Sequence, residues 1–297
     1  MSSLLTVRSP GLETRPASVD FAVHQPTRRH HHAAKTLSVP GDPFSVMGRP
    51  KRKWLHPSGK VRYNSDTMPT NFPYTWLLFD ADDTLFDFPK AEANALKWTL
   101  AELGLAASPA YFEIYARCNL FVWKEFERGL VTSTELRTKR FRLFFDEIGI
   151  AADPQTVSPL YLQNLGLGID LLPGAETLIR FLNPRFHLAL VTNGLADVQR
   201  PRLERSALAD CFEKVFISEE IGAAKPSKAY FDAVFGAIGK PPKNETLIIG
   251  DSLTSDMQGG LDYGIDTCWY NPRGQKTELP LTYQISKLEQ LTGLLGL

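Results

Sequence analysis

Cysteine is scarce in this chain. The 297 residues contain 3, Cys118, Cys211 and Cys268, scattered along the sequence and odd in number. Neither a disulfide framework nor a paired-cysteine metal site can be drawn from them, and a reducing compartment follows as the expectation. Long apolar runs are missing too. Stretches such as His187 to Val191 fall far short of the roughly 20 residues that cross a bilayer, so a soluble protein with no membrane partner is expected. Net charge is also lacking, because 33 Lys and Arg balance 33 Asp and Glu. That balance hides an asymmetry: residues 1–67 carry 11 of the basic residues and 4 of the acidic ones, which leaves the remainder mildly acidic. An acidic body gives no reason to expect nucleic acid as its partner.

Residues 1–70 are rich in Pro, Ser, Arg and His, include the basic clusters Arg28 to His32 and Arg49 to Lys53, and follow neither a strand nor a helix period. They are expected to form a disordered basic extension. Three readings compete for it: an organellar targeting peptide, a basic arm for nuclear import or nucleic acid, and a bland extension. No apolar segment of the kind that marks a secretory signal follows the start. The cytoplasm is the default compartment, with an organelle the alternative if the arm is a targeting segment. Met68, just ahead of the first expected strand, offers an alternative start.

Beyond the arm, short apolar runs recur at residues 75–80, 187–192, 215–218, 246–250 and 266–270, separated by stretches of helical character. This alternation predicts an α/β fold, a doubly wound parallel sheet with helices on both faces. About a hundred residues separate the first two runs, too many for a simple crossover. They read as helices: Ala91, Ala95, Leu96, Leu100 and Leu103 recur at near-helical spacing, and Ser108 with Pro109 marks an N-cap and first turn. Gly129 suits that helix's far end. Thr132 with Glu135 predicts a capping box for the next helix, which should end near Gly149. The expected organisation is a core of residues 71–88 and 171–297 with an inserted helical cap domain over residues 89–170.

The chemistry-bearing residues fall at the ends of the expected strands. Asp80 and Asp82 follow the first, Thr192 and Asn193 close the second, Lys225 follows the third, and Asp251 and Asp256 follow the fourth. Each alone has a bland reading, as an Asx-turn, a turn signal or a solvated lysine. In a parallel sheet, however, the carboxyl ends gather on one edge, and carboxylates crowded there repel and raise one another's pKa. A hard divalent cation resolves that conflict, so the cluster predicts Mg²⁺. A hydroxyl beside backbone N–H groups can cradle a phosphate, and a lysine can neutralise it.

In these four motifs, residues 75–271 resemble the haloacid dehalogenase superfamily. The resemblance implies a Rossmann-like core in which Asp80 attacks phosphorus while Asp82 protonates the leaving oxygen and later activates water. It implies Mg²⁺ held by Asp80, the Asp82 backbone carbonyl and Asp251, with Asp256 supporting the metal site from behind. Thr192, Asn193 and Lys225 would bind phosphate. An acid at position 82 favours phosphate esters over halides, since an alkoxide needs a proton on leaving and a halide does not. Asp83 stands where the commoner superfamily pattern has glycine.

A closer resemblance is to the bacterial noncanonical pyrimidine 5′-nucleotidases. It rests on residues 79–86, Leu171 to Ala175, Val191 to Gly194 with Gln199 and residues 202–205, residues 217–226, and Cys268 with Trp269. It implies hydrolysis of nucleoside 5′-monophosphates such as UMP, dUMP and dTMP. A sugar-phosphate phosphatase or phosphomutase is the alternative within the superfamily. The alternative outside enzymes is a regulatory protein that binds nucleic acid through the basic arm. In the cap, Phe112, Tyr115, Phe121, Trp123 and Phe126 offer rings that could stack on a base, although aromatics at helical spacing are more often core. Arg117 and Asn119 are further candidates for base or sugar contact.

Overall fold

The computed structural model describes residues 73–297 together with two short strands, β1 (Trp54–Leu55) and β2 (Val61–Arg62), which pair antiparallel. This pair falls inside the stretch read as lacking regular structure. The rest of that stretch lies outside the described residues, and with it the three readings of the arm.

The main sheet is built from β3 (Trp76–Phe79), β4 (His187–Thr192), β5 (Lys214–Ile217), β6 (Thr246–Gly250), β7 (Asp266–Tyr270) and β8 (Tyr283–Ile285). All neighbours run parallel, in the order β5-β4-β3-β6-β7-β8. Successive side chains of a strand face opposite ways. Leu77 and Phe79 therefore enter one apolar layer with Leu188, Leu190, Leu247 and Ile249, while Trp76 and Leu78 enter the other with Ala189, Val191 and Ile248. Burial on both faces is why these strands read as unbroken apolar runs rather than alternating ones.

The chain leaves β3 for β4 on one side and later returns to lay β6 on the other. β3 thus lies at the switch in strand order, where open α/β sheets carry their crevice. In register, Phe79 stands opposite Leu190 and Ile249, so the residues that follow these strands meet at one edge.

Between β3 and β4 lie α1 (Phe88–Glu102), α2 (Pro109–Glu127), α3 (Ser133–Ile148) and α4 (Pro154–Leu165). They close around an apolar cluster that includes Leu96, Tyr115, Val122, Phe141, Phe144 and Tyr161 and also takes in Leu195 and Val198 at the start of the sixth helix. The capping box at Thr132 and Glu135 forms in both directions, and Gly149 ends α3 in the left-handed conformation at φ 68°. Ser108 occupies the N-cap of α2 but its side chain makes no capping bond. Helix α4, with Asp153 as its cap, has no counterpart among the boundaries read from sequence. The layers flanking the sheet are completed by α5 (Ala175–Leu182), α6 (Ala196–Arg205), α7 (Ser218–Ile221), α8 (Lys228–Ala237), α9 (Gln258–Tyr263) and α10 (Gln290–Leu294). Among the described residues no helix is long and apolar enough to cross a membrane.

Candidate active site

Asp80 leaves β3 with its backbone N–H donating to Ile249 O at 2.9 Å, and its residue is 8% exposed. Lys225, 1% exposed, reaches the same point from the loop between α7 and α8. Its ammonium donates to Asp80 Oδ1 at 2.7 Å, to Asp256 Oδ1 at 2.6 Å and to Val191 O at 2.8 Å. All three donors of the ammonium are thus used. Burial works against the charge on Lys225, but Asp256 and Asp80 outweigh it and hold its pKa above the ordinary lysine value.

Asp251 follows β6 directly, and Asp256 sits on a π-helical turn over Leu253–Met257. Gly250 permits this approach, since a Cβ there would lie 2.2 Å from Asp256 Oδ2. Oxygen atoms of Asp80, Asp251 and Asp256 all lie within 4.8 Å of one another. Burial raises the Asp80 carboxyl to about 7, with Lys225 pulling it down and Asp256 pushing it up. Burial, then Asp80 and Asp256, drive Asp251 well above the usual carboxylate range. Three carboxylates face one ammonium, and the acidic excess of hard oxygen donors fits a divalent cation of the Mg²⁺ type. Both Asp256 oxygens are engaged by protein donors, Lys225 and the Ser252 N–H. Asp251 has no ion-pair partner among the described residues. A cavity of about 180 Å³ opens beside it, lined also by Asp83, Tyr270, Asn271 and Arg273.

Thr192 lies buried at the end of β4, its hydroxyl accepting from the Gly194 N–H at 3.0 Å. The Asn193 side chain is committed elsewhere: its amide donates to Lys225 O and accepts from the Lys225 N–H, both at 2.8 Å. Asn193 thereby fixes the backbone that carries Lys225, and only its main chain is left to face a phosphate. Asp83 adopts φ 59°, in the left-handed region. This explains glycine as the commoner residue there, and aspartate is among the side chains that tolerate the conformation. Burial, reinforced by the charge of Asp82, raises the Asp83 carboxyl to about 6.

Asp82 points to partners that sequence reading did not place in the site. Gln199 and Arg202 of α6 hold its two carboxylate oxygens. The available signal was their spacing of three, which puts both on one helix face, together with their polar character on a helix that packs against the core.

The helices over the sheet edge are tied down at two places. Arg137 of α3 pairs with Asp197 at 2.6 Å and Glu219 at 2.9 Å, and Glu127 of α2 accepts from the Thr254 hydroxyl at 2.8 Å. Of the candidate cap residues, Tyr115 is core, while Phe112, Trp123 and Phe126 pack partly against it. Phe121 is half exposed. Arg117 pairs with Glu147. Asn119 is buried, donating to Glu92 at 2.7 Å and accepting from Arg140 at 3.2 Å.

Residues 74–264, which contain every group in this cluster, match the family described as haloacid dehalogenase-like hydrolases. The chain belongs to this family. It is 40% identical to the HAD-hydrolase YfnB of Bacillus subtilis over 226 residues, covering 75% of this chain and 96% of YfnB. It is 38% identical to the pyrimidine 5′-nucleotidase PynA of Streptococcus pneumoniae, covering 73% of this chain and 93% of that one. Identity to the pyrimidine 5′-nucleotidase YjjG of Escherichia coli is 31%, over 75% of this chain and 98% of YjjG. Among solved structures, magnesium-bound YfnB superposes with a TM-score of 0.72 over 75% of this chain and 99% of its own. As a haloacid dehalogenase-like hydrolase, this chain carries its acidic cluster at the carboxyl edge of the sheet, under the helical insertion.

Proposed function

We propose that this hydrolase removes the phosphate from nucleoside 5′-monophosphates, pyrimidine ones by preference, with Mg²⁺ as its metal. The observation that carries the reading is the Lys225 ammonium shared by Asp80 and Asp256, with Asp251 beside them and Asp82 two residues on. The likeness to PynA and YjjG supports the choice of nucleotide.

Asp80 is the nucleophile. One of its carboxylate oxygens bonds to phosphorus as the bond to the 5′-oxygen breaks, and the Asp82 carboxyl gives that oxygen its proton. In the second half, Asp82 takes a proton from water as the water oxygen bonds to phosphorus and the aspartyl-phosphate bond breaks. Splitting the displacement in two lowers each barrier. Asp80, the Asp82 backbone carbonyl and Asp251 hold the metal, with Asp256 behind them. The bound cation supplies positive charge that shields the phosphoryl oxygens from the surrounding carboxylates. Thr192 and the main-chain N–H of Asn193 hold the transferring phosphoryl group, while the Lys225 ammonium, its donors on Asp80, Asp256 and Val191 O, offsets the phosphoryl charge from beside Asp80. Positioning and charge do most of the work in such transfers. Residues 89–170 form the cap, whose underside meets the nucleoside.

The test is phosphate release from a panel of nucleoside monophosphates and sugar phosphates, with Mg²⁺ or with EDTA. The expected result is metal-dependent release that favours UMP, dUMP or dTMP. Preference for sugar phosphates would keep the chemistry and overturn the substrate.

A further inference from the structure

Both carboxylate oxygens of Asp82 are held by one face of α6. Gln199 Nε2 donates to Oδ2 at 2.5 Å, and Arg202 Nη1 donates to Oδ1 at 2.5 Å. Gln199 is 2% exposed and Arg202 is fully buried, so neither is a surface side chain that happens to reach across. The same guanidinium donates through Nε to the carbonyl of Gly168 at 2.8 Å and lies over the Phe86 ring at 4.7 Å. One planar fork thus spans two anchors on separate segments, which a lysine's point charge cannot reproduce. The backbone makes room for the arrangement, since a Cβ at Gly194 would come within 2.1 Å of Gln199 Nε2.

The Asp82 side chain itself remains about a quarter exposed. Without such partners it could swing about two torsions, whereas proton transfer requires the carboxyl to stay within hydrogen-bond reach of one oxygen. Each carboxylate oxygen keeps a second lone pair while accepting one bond, so a held carboxyl can still pass a proton. We propose that Gln199 and Arg202 are positioning residues that orient the Asp82 carboxyl towards the scissile oxygen. The proposal rests on Asp82 being the proton donor of the reaction set out above. A purely structural staple between α6 and the turn after β3 would use the same bonds, but its loss would act on every substrate alike.

The leaving group separates the two roles. A nucleoside 5′-oxygen needs a proton as it departs, whereas the phenolate of p-nitrophenyl phosphate does not. The experiment measures kcat/KM, which reports the steps through formation of the phospho-enzyme, for dUMP and for p-nitrophenyl phosphate. It compares the unaltered full chain with Asp82→Asn, Gln199→Leu and Arg202→Lys. Because Arg202 is buried against Asp82, Gln199→Leu carries the test if Arg202→Lys fails to fold.

The expected result is a loss of about 10- to 100-fold on dUMP for the Gln199 and Arg202 variants, a fraction of what a general acid contributes. The loss on the aryl ester should be several-fold smaller, and Asp82→Asn should show the same selectivity more strongly. Equal losses on both esters, or none, in Gln199→Leu while Asp82→Asn stays selective would overturn the positioning role and leave the proposed function standing. An unselective Asp82→Asn, or no hydrolysis by the unaltered chain, would sink the reading of Asp82 and this inference with it.

Discussion

Gly250 shows how closely the site is built at the scale of single residues. Its missing side chain lets Asp256 fold back beside Asp80 and Lys225. Gly250→Ala should push the Asp256 carboxylate aside and strip Lys225 of one of its two counter-charges. Such a buried ion pair loses about 3–5 kcal/mol when a partner is removed outright. A displaced partner should cost part of that in stability, so Gly250→Ala is expected to melt several degrees lower with the fold retained, checked by calorimetry beside circular dichroism. Residues of this kind differ in how readable they are. Asp80, Thr192 and Asp251 were legible because each stands at or just past the end of an apolar run, and parallel strands must bring such ends together, whereas Lys225 lies beyond α7. Gln199 and Arg202 as partners of Asp82 were not. Their contacts span 117 and 120 residues of sequence, and only the packing of α6 decides which side chain they meet.

At the scale of elements, β3 to β7 were legible almost to the residue, because burial on both faces leaves a run such as Thr246–Gly250 with no polar interruption. Helix α3 was legible at both ends through its capping box and Gly149. The start of α4 at Pro154 is marked only by Asp153 as its cap, and β8, at three residues, is too short to leave a period. The π-helical turn that seats Asp256 leaves no pattern of its own either, since its shape follows from the bonds Ser252 makes to that turn. The capping box gives an element-scale prediction. Thr132→Ala removes an exposed cap whose side chain bonds only Glu135 and should cost about 1 kcal/mol. For a chain of this size that is a fall of about 2–4 °C in Tm, read by calorimetry, with turnover unchanged.

The whole molecule places a helical layer across the sheet edge and pins it through Arg137 and Glu127. These moorings join residues 60 to 127 positions apart, so no local sequence pattern announces them. Enclosure has an electrostatic consequence. Burial raises Asp80 to about 7 and lifts Asp251 as well, so protons compete with a cation for the same oxygens. A carboxyl with a raised pKa is increasingly protonated below it and free above it, so cation affinity must grow as pH rises. The Mg²⁺ concentration giving half-maximal activity should therefore fall between about pH 6 and about pH 8, measured by titrating the metal at fixed substrate. A concentration independent of pH would contradict competition between protons and the metal at these carboxyls. The proposed covalent bond between Asp80 and phosphorus can be trapped. Mixing the protein with dUMP and Mg²⁺, reducing with borohydride and sequencing the peptides by mass spectrometry should find the Asp80 side chain converted to that of homoserine, only when substrate is present; an unmodified Asp80 in protein that is turning over, or conversion at another carboxylate instead, would contradict it.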